Sequence, residues 1–280
     1  MPPTRAAAWL VLLAGSWLSS CSSRYLGQLA RARLLERSVA VDGAVYRFRV
    51  FLPRGHDPRL AWPVVLFLHG SGERGDDDVS QATVGLGPLL LKQPGRVPAI
   101  VVLPQCRAGE KWLGAMARQA LAALDRTVAE FHGDPSRLYL TGISMGGSGA
   151  WYLARDRRFA AAAPVCGEVQ PEPDDPLPAG TPAEWRALLA QPDPFAALAR
   201  EIGPLPVWAF HGALDGQIPA EQSRRMVAAL RTVSPDARYT EYPDAGHDSW
   251  DRAYATPELW RWLLAQRRAE RPAAPLSSPV

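Results

Sequence analysis

Five short apolar runs recur along the chain, each bounded by glycine or proline nearby. They are Pro63–Leu68 (PVVLFL), Ala99–Pro104 (AIVVLP), Leu138–Ile143 (LYLTGI), Ala160–Val165 (AAAAPV) and Val207–Gly212 (VWAFHG). Runs this short and this unbroken read as strands buried on both faces. Between the second and third lies a helical stretch, Gly114–Asp134, stopped by the Asp134-Pro135 pair. Strands alternating with helices predict an α/β fold around a mostly parallel sheet with helices on both faces. Alternating apolar residues around Asp42-Gly43, in Ser38–Pro53, predict an antiparallel hairpin at the start. Ala237–Asp244 reads as the last strand and Glu258–Ala269 as a closing amphipathic helix.

The chain has 280 residues, of which 47% are hydrophobic and 21% charged, enough for one large core. Its net charge of +3 is not gathered into Lys/Arg runs, and no nucleic-acid motif accompanies it. The charge therefore reads as a solvated surface, and nucleic acid is excluded as a partner.

Residues 1–20 have the layout of a secretory signal, with Arg5 leading an apolar run from Ala6 to Trp17. That run is too short to span a membrane, which takes about 20 apolar residues. Leu18-Ser19-Ser20-Cys21 resembles a bacterial lipoprotein box. The resemblance implies acylation of Cys21, a membrane anchor, and a place in the cell envelope on the periplasmic side of the outer membrane, since Ser22 rather than Asp follows. Residues 21–36 then read as a tether, 37–268 as the folded domain and 269–280 as a disordered tail. Within the domain, 168–204 is Pro-rich with two short helical pieces. It reads equally as a small lid or as a crossover helix with a long surface loop. In an oxidising compartment Cys106 and Cys166 fit either a disulfide or two buried thiols.

Gly142-Ile143-Ser144-Met145-Gly146 lies where the third run hands over to a helix. A G-x-S-x-G turn in that context exposes a serine at the carboxyl end of a sheet. A serine hydroxyl needs a base, and the base needs an orienting acid. In this arrangement the chain order is Ser, acid, His. His56, His69 and His132 precede Ser144, and His211 comes before any well-placed acid. His247, in a Gly-preceded loop after the last strand, is the base. Asp215, in the turn after the fifth run, is the acid; Asp193, Asp236 and Asp244 are alternatives that end no buried strand in the same way. The backbone amides of Met145 and Ser71, the latter in the Gly-rich segment after the first run, are the expected oxyanion donors. His69 is expected to stabilise that loop. Glu73 and Arg74 either pair or shape it.

The blocks LHGSGERG, GISMGG, HGALDGQIP and GHDSWDRAY, in that order, resemble α/β-hydrolase esterases related to polyhydroxybutyrate depolymerases and feruloyl esterases, a group often labelled predicted peptidases. The resemblance spans about Val39 to Leu264. It implies the α/β-hydrolase fold, the triad Ser144, Asp215 and His247, and Trp112 beside the substrate pocket. Trp250, close after the base, is expected to line the pocket too, although both tryptophans also fit core packing. The expected chemistry is carboxylic-ester hydrolysis through an acyl-enzyme, with no metal and no organic cofactor. No HExxH is present. Two other readings stay open: a peptidase on the same triad, and a non-catalytic envelope binding protein on the same scaffold.

Overall fold

The computed structural model describes Gln28, Ala30 and residues 33–171 and 177–268. The signal segment, Cys21 and the tail beyond residue 268 lie outside the described residues, as do most of the tether and residues 172–176 of the expected insertion.

Eight strands form one sheet in the order β1-β2-β4-β3-β5-β6-β7-β8. The hairpin pairs β1 (Leu35–Val41) with β2 (Ala44–Phe51) across Asp42 and Gly43. Both turn residues have positive φ, 52° and 78°, the backbone that an Asp-Gly turn between twisted strands requires. β1 begins two residues inside the stretch read as tether. β2 also runs antiparallel to β4 (Ile100–Pro104). From β4 onward the pairing is parallel, through β3 (Trp62–Leu68), β5 (Gly133–Ile143), β6 (Ala161–Val165), β7 (Trp208–Gly212) and β8 (Arg238–Tyr242).

The short apolar runs are unbroken because the sheet is buried on both sides. Along β3, Val64, Leu66 and Leu68 enter one core while Val65 and Phe67 enter the other. The first core is closed by α2 (Gly114–Glu130), α3 (Met145–Leu153), α5 (Pro194–Ile202) and α6 (Glu221–Leu230); α4 (Ala183–Leu189) packs at its margin through Trp185 and Leu188. The second is closed by α1 (Leu86–Lys92), α7 (Trp250–Ala255) and α8 (Pro257–Ala265), with Leu86, Tyr254 and Leu263 fully or almost fully buried. Each buried Leu, Val or Phe contributes roughly 1.5–3 kcal/mol over its exposed state, so every central strand is held from both faces.

β3 has β4 on one side and β5 on the other, so the chain changes direction across the sheet there. Ligand sites of open α/β sheets lie outside the carboxyl ends of the strands at such a switch point. The loop after β3 and the turn after β5 meet at that rim.

Candidate active site

Ser144 follows β5 directly. Its φ of 52° and ψ of −120° lie where residues with a side chain are rarely found, and such strain clusters at working sites. The turn exists only because its flanks are bare. A Cβ on Gly142 would stand 2.2 Å from the Gly146 carbonyl oxygen, and one on Gly146 would stand 2.0 Å from that of Leu68. Val165 O accepts the Ser144 amide at 3.0 Å, which ties the turn to the end of β6. Met145 then opens α3.

The turn after β7 carries Asp215, whose side chain is fully buried. Its Oδ1 accepts the amides of Gln217 and Ile218, both at 2.9 Å. Its Oδ2 accepts from His247 Nδ1 at 2.7 Å. Burial alone would push the Asp215 carboxyl up. Hydrogen bonds from His211, His247 and the two amides outweigh it and hold the group far below the usual carboxylate range. His247 lies in the loop after β8, and its Nε2 is 2.8 Å from Ser144 Oγ. Three side chains from three separate loops therefore form one continuous chain of hydrogen bonds. Asp193, by contrast, caps α5 through the amides of Phe195 and Ala196, and Asp244 pairs with Arg252 at the surface.

The segment after β3 passes alongside the serine: a Cβ on Gly70 would stand 3.7 Å from Ser144 Cβ. His69 anchors this segment. Its Nδ1 donates to Gly70 O at 2.6 Å, and its Nε2 accepts the Cys106 amide at 2.9 Å. That pattern fits only the neutral ring, and burial pushes its pKa down to about 4. Arg74 donates to Ser71 O at 2.9 Å and to Glu110 O at 3.3 Å, so it shapes the loop and does not pair with Glu73. Burial pushes the Glu73 carboxyl up, against the pull of the amides of Gly70 and of its own residue.

A cavity of about 340 Å³ opens over Ser144 and His247. Ser71 and Met145, the expected oxyanion donors, both line it, as does Trp112. Trp112 is also a core residue, 1% exposed, with its indole N–H donated to His69 O at 2.9 Å. Trp250 is not among the lining residues. It stands edge-on to the His247 ring at 5.5 Å and packs against the second core. The cavity has further walls that the sequence reading did not name. Glu168, Val169, Leu177 and Trp185 come from the Pro-rich segment, and Lys111 stands 3.8 Å from Glu168. No period marks these residues in the sequence; only the adjacency of Lys111 to Trp112 hints at one of them.

Cys106 and Cys166 are buried free thiols, so of the two arrangements the sequence allowed the structure has the unpaired one. Ligand-capable atoms of Cys166, Asp215 and His247 lie within 4.8 Å of one another. They do not suit a metal. Asp215 already accepts from His247, His211 and two amides, and burial pushes the Cys166 thiol up, away from the thiolate a metal needs.

Comparison with known proteins agrees with this architecture. The prolyl oligopeptidase family profile matches residues 107–268. A carboxymethylenebutenolidase-like protein of Yersinia pestis is 34% identical over 134 residues, covering 46% of this chain and 45% of the relative. The chain thus matches about half the length of the curated relatives. Among solved structures, a thermostable esterase superimposes with a TM-score of 0.70 at 28% identity, over 86% of this chain and 64% of the other. The feruloyl esterase module of Clostridium thermocellum superimposes with a TM-score of 0.60 at 17% identity, over 85% of this chain and 90% of the module, a likeness of fold. With the profile covering more than half of its length, the chain belongs to the prolyl oligopeptidase family, built on the α/β-hydrolase fold.

Proposed function

We propose that this protein is a serine carboxylic-ester hydrolase that works through an acyl-enzyme on Ser144. The observation that carries the reading is the hydrogen-bonded series from Ser144 Oγ to His247 Nε2, 2.8 Å, and from His247 Nδ1 to Asp215 Oδ2, 2.7 Å. His247 takes the serine proton as Oγ attacks the ester carbonyl. Asp215 keeps the ring in the tautomer whose Nε2 is the base and stabilises its cation. The amides of Met145 and Ser71 hold the oxyanion. His247 then protonates the leaving alcohol and later activates the water that frees the acid. The esterase fold neighbour at 28% identity favours esters over amides.

The family is named for peptidases, which favours a second reading: amide hydrolysis on the same three residues. Parallel assays of short p-nitrophenyl esters and aminoacyl p-nitroanilides decide between them. A fluorophosphonate probe should label Ser144 alone, and Ser144→Ala should lower ester turnover by about four to six orders of magnitude. Near-normal turnover in that variant would sink the proposal, and so would a wild type that neither labels nor turns over, which the binding-protein reading expects. The substrate is an ester small enough to seat its acyl part in the 340 Å³ cavity. We further propose that acylated Cys21 holds the enzyme on the periplasmic side of the outer membrane. Cys21→Ala should then move the protein from the membrane to the soluble fraction; unchanged partitioning refutes the anchor.

A further inference from the structure

We propose that His211 is a positioning residue for the acid, so that the working unit is Ser223–His211–Asp215–His247–Ser144 rather than a triad. The inference rests on the hydrolase reading above and extends it.

His211 is fully buried, the fourth residue of β7, and the mechanism just described makes no use of it. Its Nε2 faces two acceptors, Asp215 Oδ2 at 3.1 Å and Ile218 O at 2.9 Å. Neither can donate to it, so Nε2 carries the hydrogen. Nδ1 is then left to accept the hydroxyl of Ser223, which approaches from α6 at 2.8 Å. The same Oδ2 that receives the His247 Nδ1–H therefore receives a second imidazole N–H.

Two consequences follow. The carboxylate is fixed from four sides, two amides on Oδ1 and two rings on Oδ2, so its plane cannot turn away from His247. The His211 N–H also draws charge from the oxygen that stabilises the His247 cation, and so tempers that stabilisation. The other ionisable groups facing this cluster are few. They are the Cys166 thiol at the end of β6, Asp248 beside the base, and Glu241 on β8, which is paired with Arg224 of α6 at 2.8 Å and accepts from Tyr239 at 2.6 Å. Among the described residues, the hydrogen-bond donors of Asp215 are His211, His247 and the amides of Gln217 and Ile218, so this set is altered through His211 without disturbing those three groups.

The test compares pH profiles of kcat/KM on a p-nitrophenyl ester for the full chain and three variants. His211→Phe should lower kcat about 10- to 100-fold, leave KM within about twofold, and move the acid limb upward by roughly 0.5–1 pH unit, because Asp215 becomes the stronger partner of the imidazolium. His211→Gln, whose amide N–H reaches the place of Nε2, should return the limb to the wild-type position. An unchanged limb in His211→Phe, whatever the loss of kcat, overturns the proposal, and so does a Gln variant that shifts as far as Phe. If His211→Phe does not fold, Ser223→Ala decides: it should move the limb in the same direction by less, and an unmoved limb counts against the proposal. Fluorophosphonate labelling of wild type keeps the two levels apart, since loss of labelling at Ser144 defeats the hydrolase reading itself.

Discussion

At Ser144 the backbone, not the side chain, is the costly feature. A φ of 52° on a serine persists only because surrounding contacts over-determine it. Those contacts are backbone atoms within 2–3 Å of where a Cβ on Gly142 or Gly146 would sit, and backbone cannot step aside as a side-chain tip can. Gly146→Ala should therefore cost at least about 3 kcal/mol or prevent folding, measured by urea titration. A wild-type midpoint for that variant would contradict the packing described. Asp215→Asn combines a catalytic and a structural loss. The amide can hold His247 in the wrong tautomer, so turnover should fall by about four orders of magnitude. Its NH2 must also face N–H groups that the carboxylate accepted, so stability should fall by about 1–3 kcal/mol. The G-x-S-x-G turn was legible in the sequence because its requirements are local: small residues two before and two after the serine. The placement of Asp215 against His247 was nearly so, since Asp215 lies in the turn that follows a buried strand and Asp193, Asp236 and Asp244 do not. Trp250, three residues after His247, reads equally as a pocket or a core residue, and the start of α7 packs it against the second core, outside the cavity lining.

The elements around the site act as fixed mounts, and His69 shows how one is held. It joins the loop after β3 to the loop after β4 while wholly buried. Its folded pKa, about 4, lies below the ordinary 6.5. The unfolded chain therefore binds a proton there that the folded chain refuses. Stability from this site is fully present above about pH 6.5 and is lost as pH falls toward about 4, by about 3 kcal/mol in all. Urea midpoints measured from pH 8 to pH 4 should fall across that window, and His69→Gln should flatten the fall while being less stable at pH 8. A slope that survives the substitution would assign it to other groups. The strands and the hairpin were readable because each needs only its own short period and its own Asp-Gly turn. The seven-residue α1 was not, since two turns carry too little periodicity to separate from a loop.

Across the whole molecule, two cores on opposite faces of one sheet make a rigid base, and the site is a rim of loops on it. Cys106 and Cys166 belong to that base. Burial pushes the Cys106 thiol up to about 12 and the Cys166 thiol higher still, and both are unpaired. Reductant should leave the thermal midpoint unchanged. A thiol reagent should modify positions 106 and 166 only after unfolding, mapped by peptide mass; modification of either in the native protein would refute the burial. The amino-acid order by itself determined the α/β architecture, the opening hairpin, and a serine, an acid and a histidine at successive strand ends. Each of those depends on residues close together in the chain. Tertiary structure alone decided that the two thiols stay apart, that Trp185 and Val169 wall the cavity, and that Asp215 faces a second histidine. Those facts depend on how elements far apart in the chain pack against one another, and no local period records a distance between them.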